Sequence, residues 1–248
     1  MATRMEVLAE LNLAPIWRRR AVAAPVEATA GAASPPSASI VPIVPLHEAI
    51  PAEGRDARRA RIEALEWDAF ATDVDACTAC GLCRTRNRSV PGVGDLRAEW
   101  LFIGEAPGAE EDARGEPFVG QAGRLLDSML AALGMNRRRN VYIANVLKCR
   151  PPGNRNPQPD EVAQCSPYLL RQIGLIQPKL IVAMGRFAAQ TLLNTDASIA
   201  SLRGRVHRYA GVPLVVTYHP AYLLRNLPDK AKAWIDLRFA ARTITAAG

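Results

Sequence analysis

The chain has 248 residues, 49% of them apolar, with 31 lysines and arginines against 24 aspartates and glutamates. That length allows one domain of about 150–200 residues with an appendage, or two small domains, and is ample for a hydrophobic core. The first 76 residues carry 8 basic and 11 acidic side chains and the remainder 23 and 13, so a net −3 precedes a net +10, and the positive field that a phosphate backbone would select belongs to the C-terminal part.

Residues 1–20 read as a short amphipathic segment, with Met5, Leu8, Leu11, Leu13, Ile16 and Trp17 among charges. Glu6 and Glu10 stand where a signal peptide would be basic, and Ala21 to Ala33 is too weakly hydrophobic for Arg18-Arg19-Arg20 to open an export signal. From Ala21 to Gly54 there are ten Ala and six Pro with no Phe, Tyr or Trp, a composition with little to bury that reads as a disordered linker. Its most apolar stretch, Ser39 to Ile50, is broken by Pro42, Pro45 and Glu48, short of the roughly 18 residues of a membrane span. A soluble cytoplasmic protein with no membrane attachment is expected.

Helical periodicity returns over Arg55 to Val74 through Ile62, Leu65, Trp67 and Phe70, and the folded domain, 55–248, is expected to start there. Strands are expected at Glu99–Gly104, Asn140–Val146, Lys179–Met184 and Pro213–Tyr218. Helices are expected at Ala122–Leu133 with Gly134 as its stop, at Pro159–Gln177 opened by Pro-Asp-Glu, at Arg186–Leu193 and at Lys230–Thr245. Alternation of this kind predicts an α/β fold whose mainly parallel sheet lies between helical layers.

In such sheets the ligand crevice lies beyond the carboxyl ends of the strands. The first strand runs into Gly104-Glu105-Ala106-Pro107-Gly108, the second into Asn145 and Lys148-Cys149-Arg150-Pro151-Pro152, and the fourth into His219-Pro220. Singly, Glu105 could be a loop carboxylate, Asn145 a turn cap and His219 a residue before a turn; one shared address makes them a small-molecule site. A second constellation is Cys77-x-x-Cys80-x-x-Cys83 together with Cys149 and Cys165. Clustered cysteines in a cytosolic chain favour metal or redox chemistry over disulfides, with zinc and an iron–sulfur cluster both open.

Gly104-Glu-Ala-Pro-Gly108, Glu111-Asp112, Gly115-x-Pro117-Phe118-Val119-Gly120-x-Ala122-Gly123, Asn145-Val-x-Lys148-Cys149-Arg150-Pro151-Pro152 and His219-Pro220 occur in that order. Together they resemble the family 4, iron–sulfur-containing uracil-DNA glycosylases over about residues 77–245. The resemblance implies a three-layer αβα sandwich with a central four-stranded sheet, and a 4Fe-4S cluster held by Cys77, Cys80, Cys149 and Cys165, leaving Cys83 as the spare. It implies a monomer acting on uracil in single- or double-stranded DNA. Phe118 would stack on the flipped base, Asn145 would read its edge, and His219 would donate to O2. Glu105, Ala106 and Pro107 would line the pocket, with Glu105 positioning the water and Glu111 walling off a thymine methyl.

The chain has Ala106 and Gly108 where better-known uracil glycosylases carry a water-activating Asp and a thymine-excluding Tyr. Leu223 resembles the wedge that fills the gap left by a flipped base, with Leu224 competing, and Arg225, Lys148, Arg150 and Arg155 are expected phosphate contacts. A non-catalytic iron–sulfur DNA-binding accessory of replication or repair is the alternative. Outside the glycosylase resemblance, Arg4, Leu8, Leu11 to Leu13, Ile16-Trp17 and Arg19-Arg20 are similar to the N-terminal segment by which the psi subunit of the bacterial clamp loader holds its chi subunit, departing at Asn12, where psi has Gly. Residues 4–20 are therefore expected to dock a chi subunit.

Overall fold

The computed structural model describes residues 54–246; the expected docking segment 1–20, and the expected linker up to residue 53, lie outside the described residues. In chain order the helices and strands are α1 (Arg55–Glu63), α2 (Trp67–Ala76), β1 (Val93–Gly94), β2 (Trp100–Gly104), α3 (Ala109–Arg114), α4 (Gln121–Ala132) and β3 (Val141–Asn145). They continue with α5 (Pro159–Ile176), β4 (Leu180–Met184), α6 (Arg186–Leu193), α7 (Ile199–Leu202), β5 (His207–Tyr209), β6 (Val212–Thr217), α8 (Pro220–Leu223) and α9 (Asp229–Ala246). Among the described residues no helix is long and apolar enough to cross a membrane.

The strands form one sheet in the order β1-β3-β2-β4-β6-β5. The inner four are parallel, while β1 and β5 pair antiparallel at the two edges. The expected four-stranded sheet is thus six-stranded. Val93–Gly94 spans two residues and His207–Tyr209 three, too short to show the period-two alternation that marks a strand in sequence. Every residue of β2, β3 and β4 is buried, as expected of parallel strands covered on both faces.

Alternate side chains supply the two covering layers. Leu101, Ile103, Ala144, Ile181, Ala183 and Val216 pack with Leu169 and Ile173 of α5 and Ala189 and Leu192 of α6. Phe102, Ile143, Val182 and Val215 pack on the other side with Leu126 and Leu130 of α4 and with Leu237 and Ala240 of α9. The three-layer αβα sandwich follows. The helix expected over Arg55 to Val74 is two, α1 and α2, broken at residues 64–66. The Arg171 side chain of α5 takes the Leu65 carbonyl and, at 3.0 Å, the Glu66 carboxylate, holding the chain in a turn that the periodicity conceals.

The topology fixes where a ligand can sit. From β2 the chain proceeds to β3 on one side, and from β4 it proceeds to β6 on the other. The carboxyl ends of the adjacent strands β2 and β4 therefore flank the switch point of the sheet, where a crevice opens.

Candidate active site

A cavity of about 820 Å³ occupies that crevice, within the range of small-molecule sites. All four inner strands deliver residues to it: Glu105, Ala106 and Pro107 after β2, Asn145 at the end of β3, Gly185 and Arg186 after β4, and His219 after β6. The structure thus brings Glu105, Asn145, His219 and Phe118 together around one space.

Asn145 is 2% exposed, and its Oδ1 is a buried side-chain acceptor with no hydrogen-bond partner. An orphaned buried acceptor carries a desolvation cost of about 1–3 kcal/mol, which a ligand N–H would relieve. Gly104 faces Asn145 across the parallel ladder. A Cβ on Gly104 would stand 2.4 Å from Asn145 Oδ1 and 2.7 Å from Phe118 Cζ, so only glycine lets the amide and the ring share this wall.

Phe118 adopts φ 55°, in the left-handed region that costs a non-glycine residue about 1–2 kcal/mol. Two side chains hold it there. Arg137 donates to the Pro117 and Phe118 carbonyls at 3.1 and 2.9 Å. Glu111 accepts from the amides of Val119 at 3.0 Å, Gly120 at 3.3 Å and Gly108 at 3.1 Å. The Glu111 carboxylate lines the cavity but is held by three backbone amides that tie the loop after β2 to the Phe118 loop. The Phe118 and His219 rings lie 5.4 Å apart, tilted by 31° to one another, in the wall of the cavity.

His219 caps α8, its Nδ1 accepting from the Ala221 amide at 3.1 Å. A ring nitrogen that accepts carries no proton, so the neutral imidazole holds its hydrogen on Nε2. Burial, together with the Arg225 cation, pushes its pKa down to about 4 despite Glu111, so the ring is neutral at physiological pH. Glu105 is shifted the other way. Burial raises its carboxyl to about 7, with the Arg186 guanidinium pulling back. Two titratable groups pushed apart in one cavity are a hallmark of catalytic sites.

Arg186 and Tyr218 line the same cavity, and no motif in the sequence marks them. The strand-end rule would have found Arg186, since Lys179–Met184 runs directly into Gly185-Arg186.

Two expected DNA contacts are corrected. Lys148 is 1% exposed, and its Nζ donates to the Asn145 carbonyl at 2.8 Å and to Gln172 Oε1 at 2.5 Å, so it cannot reach a phosphate. Leu223 is 1% exposed, packed with Tyr218 and Ala233, and cannot serve as a wedge, whereas Leu224 is 38% exposed. Arg225 is exposed at the cavity. Arg150 donates to Asn154 Oδ1 at 2.8 Å. Arg155 is held by the Glu161 carboxylate through both terminal nitrogens.

The five cysteines line a second, smaller cavity. Cys77 caps the end of α2, Cys80 precedes a 3₁₀ turn and Cys83 lies within it, Cys149 follows β3 and Cys165 lies on α5. All five are free thiols. They stand around a space instead of meeting at a point: among the described residues, no three His, Cys, Asp or Glu form a group for a single metal ion. N–H donors surround the sulfurs, with Arg86 Nη1 2.9 Å from Cys149, Arg58 Nη2 3.4 Å from Cys77 and the Lys148 amide 3.5 Å from Cys165. Burial pushes the Cys80 and Cys149 thiols up and Cys165 to about 12. Thiols gathered around one cavity and ringed by cations and N–H groups fit a thiolate-held metal group, whose metal would supply the deprotonation that burial opposes.

The combination of a doubly wound sheet, a polar-lined cavity at its switch point and a cysteine cage beside it has a counterpart among known proteins. Residues 91–238 match the uracil DNA glycosylase superfamily, and the chain belongs to it. It is 47% identical over 165 residues to the type-4 uracil-DNA glycosylase of Archaeoglobus fulgidus, covering 63% of this chain and 82% of that protein. Identity to the type-4 uracil-DNA glycosylase of Thermotoga maritima is also 47%, over 161 residues, 64% of this chain and 83% of that one. Against the type-5 uracil-DNA glycosylase of Pyrobaculum aerophilum it is 35% over 155 residues, 56% and 68% of the two chains. The higher identity and coverage place this chain with the type-4 proteins.

Proposed function

We infer that this protein is a uracil-DNA glycosylase of DNA repair, which hydrolyses the N-glycosidic bond of deoxyuridine in DNA, releases uracil and leaves an abasic site. The observation that carries the reading is the unpaired Asn145 Oδ1 in the wall of the cavity. Uracil offers N3–H to that oxygen and O4 to the amide nitrogen, while cytosine offers the reverse pattern and leaves both mismatched. A base inside a duplex must first be flipped into the cavity, at a cost of a few kcal/mol. Phe118 then provides the stacking face. The His219 Nε2–H donates to O2, where negative charge grows as the bond from C1′ to N1 breaks. Water adds its oxygen to C1′, its proton ends on the released base, and the Glu105 carboxylate orients that water beside the developing sugar cation. Arg225 and Arg150 contact phosphates, and Leu224 takes the wedge position assigned from sequence to Leu223.

Cys77, Cys80, Cys149 and Cys165 would hold a 4Fe-4S cluster whose role is structural, clipping the loop after α2 to the segment after β3 and to α5. Cys149→Ala is expected to abolish the visible iron–sulfur absorbance, and Cys83→Ala to keep it. Residues 4–20 are proposed to dock a clamp-loader chi subunit, on the sequence similarity alone; a chi pull-down with residues 1–25 and with their Trp17→Ala form checks it, equal retention refuting it.

The function is tested by incubating the protein with uracil-containing single- and double-stranded oligonucleotides, followed by alkali. Strand breaks at uracil are expected, with Asn145→Ala and His219→Ala each slower by about 10²–10³-fold while retaining the cluster absorbance. No breaks above a buffer control would leave the non-catalytic DNA-binding reading.

A further inference from the structure

Lys148 is the least exposed cation among the described residues, at 1%, and nothing in the proposed chemistry uses it. No carboxylate is among its hydrogen-bond partners. Its Nζ donates to two neutral oxygens, the Asn145 carbonyl at 2.8 Å and Gln172 Oε1 at 2.5 Å. The cysteine cage lies directly beside it: Cys149 is the next residue, and the Lys148 amide points at Cys165 Sγ at 3.5 Å. Burying a lysine without a carboxylate is costly, and a methionine would fill the same volume without that cost. The position therefore demands a donor.

The geometry says what for. Asn145 is the last residue of β3; beyond it the amides of Val146 and Leu147 donate to the Gly104 and Glu105 carbonyls, and the Lys148 carbonyl accepts from the Val90 amide at 2.7 Å. Lys148 folds back across three residues onto the Asn145 carbonyl. Its second partner, Gln172, is oriented from behind: Nε2 donates to the Pro91 carbonyl at 2.8 Å and to the Tyr142 hydroxyl at 3.2 Å, which leaves Oε1 for the lysine. Gln172 and Cys165 both belong to α5. A chain of contacts thus runs from the cysteine cage through Lys148 to the backbone of the residue whose side chain faces the base cavity.

We propose that Lys148 is a positioning residue that fixes the Asn145 peptide, so that the Asn145 amide is held towards the base cavity, and that it couples the cysteine cage to base recognition. The proposal rests on the uracil-glycosylase reading of that cavity. Lys148 touches neither substrate nor phosphate; it acts through Asn145, and misplacement of a binding group by about 1 Å is enough to cost on the order of 10²-fold in rate.

The test is a double-mutant cycle on the full-length holoprotein, with single-turnover release of uracil from a single-stranded oligonucleotide, oligonucleotide affinity and visible absorbance as readouts. Lys148→Met is expected to slow uracil release by about 10- to 100-fold, while leaving DNA affinity and absorbance unchanged. In an Asn145→Ala background the same change should cost less than about threefold, because the group it positions is gone. Equal losses in both backgrounds would mean general destabilisation, and a wild-type rate would mean no positioning; either overturns the proposal. Weakened DNA affinity at an unchanged rate would return Lys148 to the phosphate contacts and also overturn it. Should Lys148→Met lose its absorbance, Gln172→Met keeps the lysine and removes one anchor, and it must show the same dependence on Asn145 or the proposal fails. Absence of uracil release by the wild type would instead refute the glycosylase reading.

Discussion

At the scale of single residues, Glu105 is in tension with its surroundings. Burial raises its carboxyl to about 7, so near neutrality it is divided between a proton-bearing form and the charged form that can orient water and face a sugar cation. The single-turnover rate is therefore expected to rise with pH through about 7 and level off above it, and Glu105→Gln should be slow and lack that rise. His219 adds no break there, because it loses its proton well below this range, at about 4. Stability should move the opposite way. A folded pKa above the ordinary 4.5 means that the folded state holds a proton the unfolded chain has released, so the contribution is intact below about 4.5 and lost as pH rises through about 7. Glu105→Gln should accordingly melt higher than wild type at pH 9, the difference shrinking towards pH 5. A melting difference independent of pH would show that Glu105 is not buried in the charged form.

At the scale of elements, much was legible, and the reasons differ from one element to the next. The inner strands and the long helices announced themselves because runs such as Trp100-Leu-Phe-Ile and the periodic Leu126 and Leu130 reflect burial that sequence encodes directly. Glu105, Asn145 and His219 were legible because strand ends in a parallel sheet converge by topology. Lys148 and Leu223 read as surface contacts in the sequence because their burial depends on partners far away in it, Gln172 for one and Leu125 and Met129 of α4 for the other. The Phe118 loop shows the same dependence, since α4 must pass close beneath it. A Cβ on Gly123 would lie 1.7 Å from the Phe118 carbonyl oxygen, a backbone atom that no rotamer change can move. Gly123→Ala is therefore expected to destabilise the protein by about 1–3 kcal/mol or more and to lower glycosylase activity by shifting Phe118. Gly174, exposed on α5 with open space around it, is the control: Gly174→Ala should stabilise by about 0.5–1 kcal/mol and leave activity unchanged. Thermal melts and uracil release on the two variants separate a steric requirement from a general intolerance of substitution.

At the scale of the whole molecule, the net +10 carried by residues 77–248 predicts attraction to any nucleic acid, but structure decides which charges can take part. Neutralising a phosphate releases condensed counterions, so each cation in contact adds about 0.7 to the slope of log affinity against log salt for a single strand. Arg225 is exposed beside the cavity, with its charge already felt by His219. Arg155 also lines the cavity, yet its guanidinium is engaged by the nearly buried Glu161, which it would have to abandon to reach a phosphate. Arg225→Ala is therefore expected to weaken binding of a single-stranded oligonucleotide and to make the salt slope shallower by about 0.7, whereas Arg155→Ala should leave the slope within error of wild type. Affinities measured between 50 and 200 mM salt distinguish the two, a window in which such contacts change affinity by orders of magnitude. A slope unchanged in Arg225→Ala would mean that the DNA backbone passes the cavity on another side, and a shallower slope in Arg155→Ala would mean that the ion pair with Glu161 opens when DNA arrives.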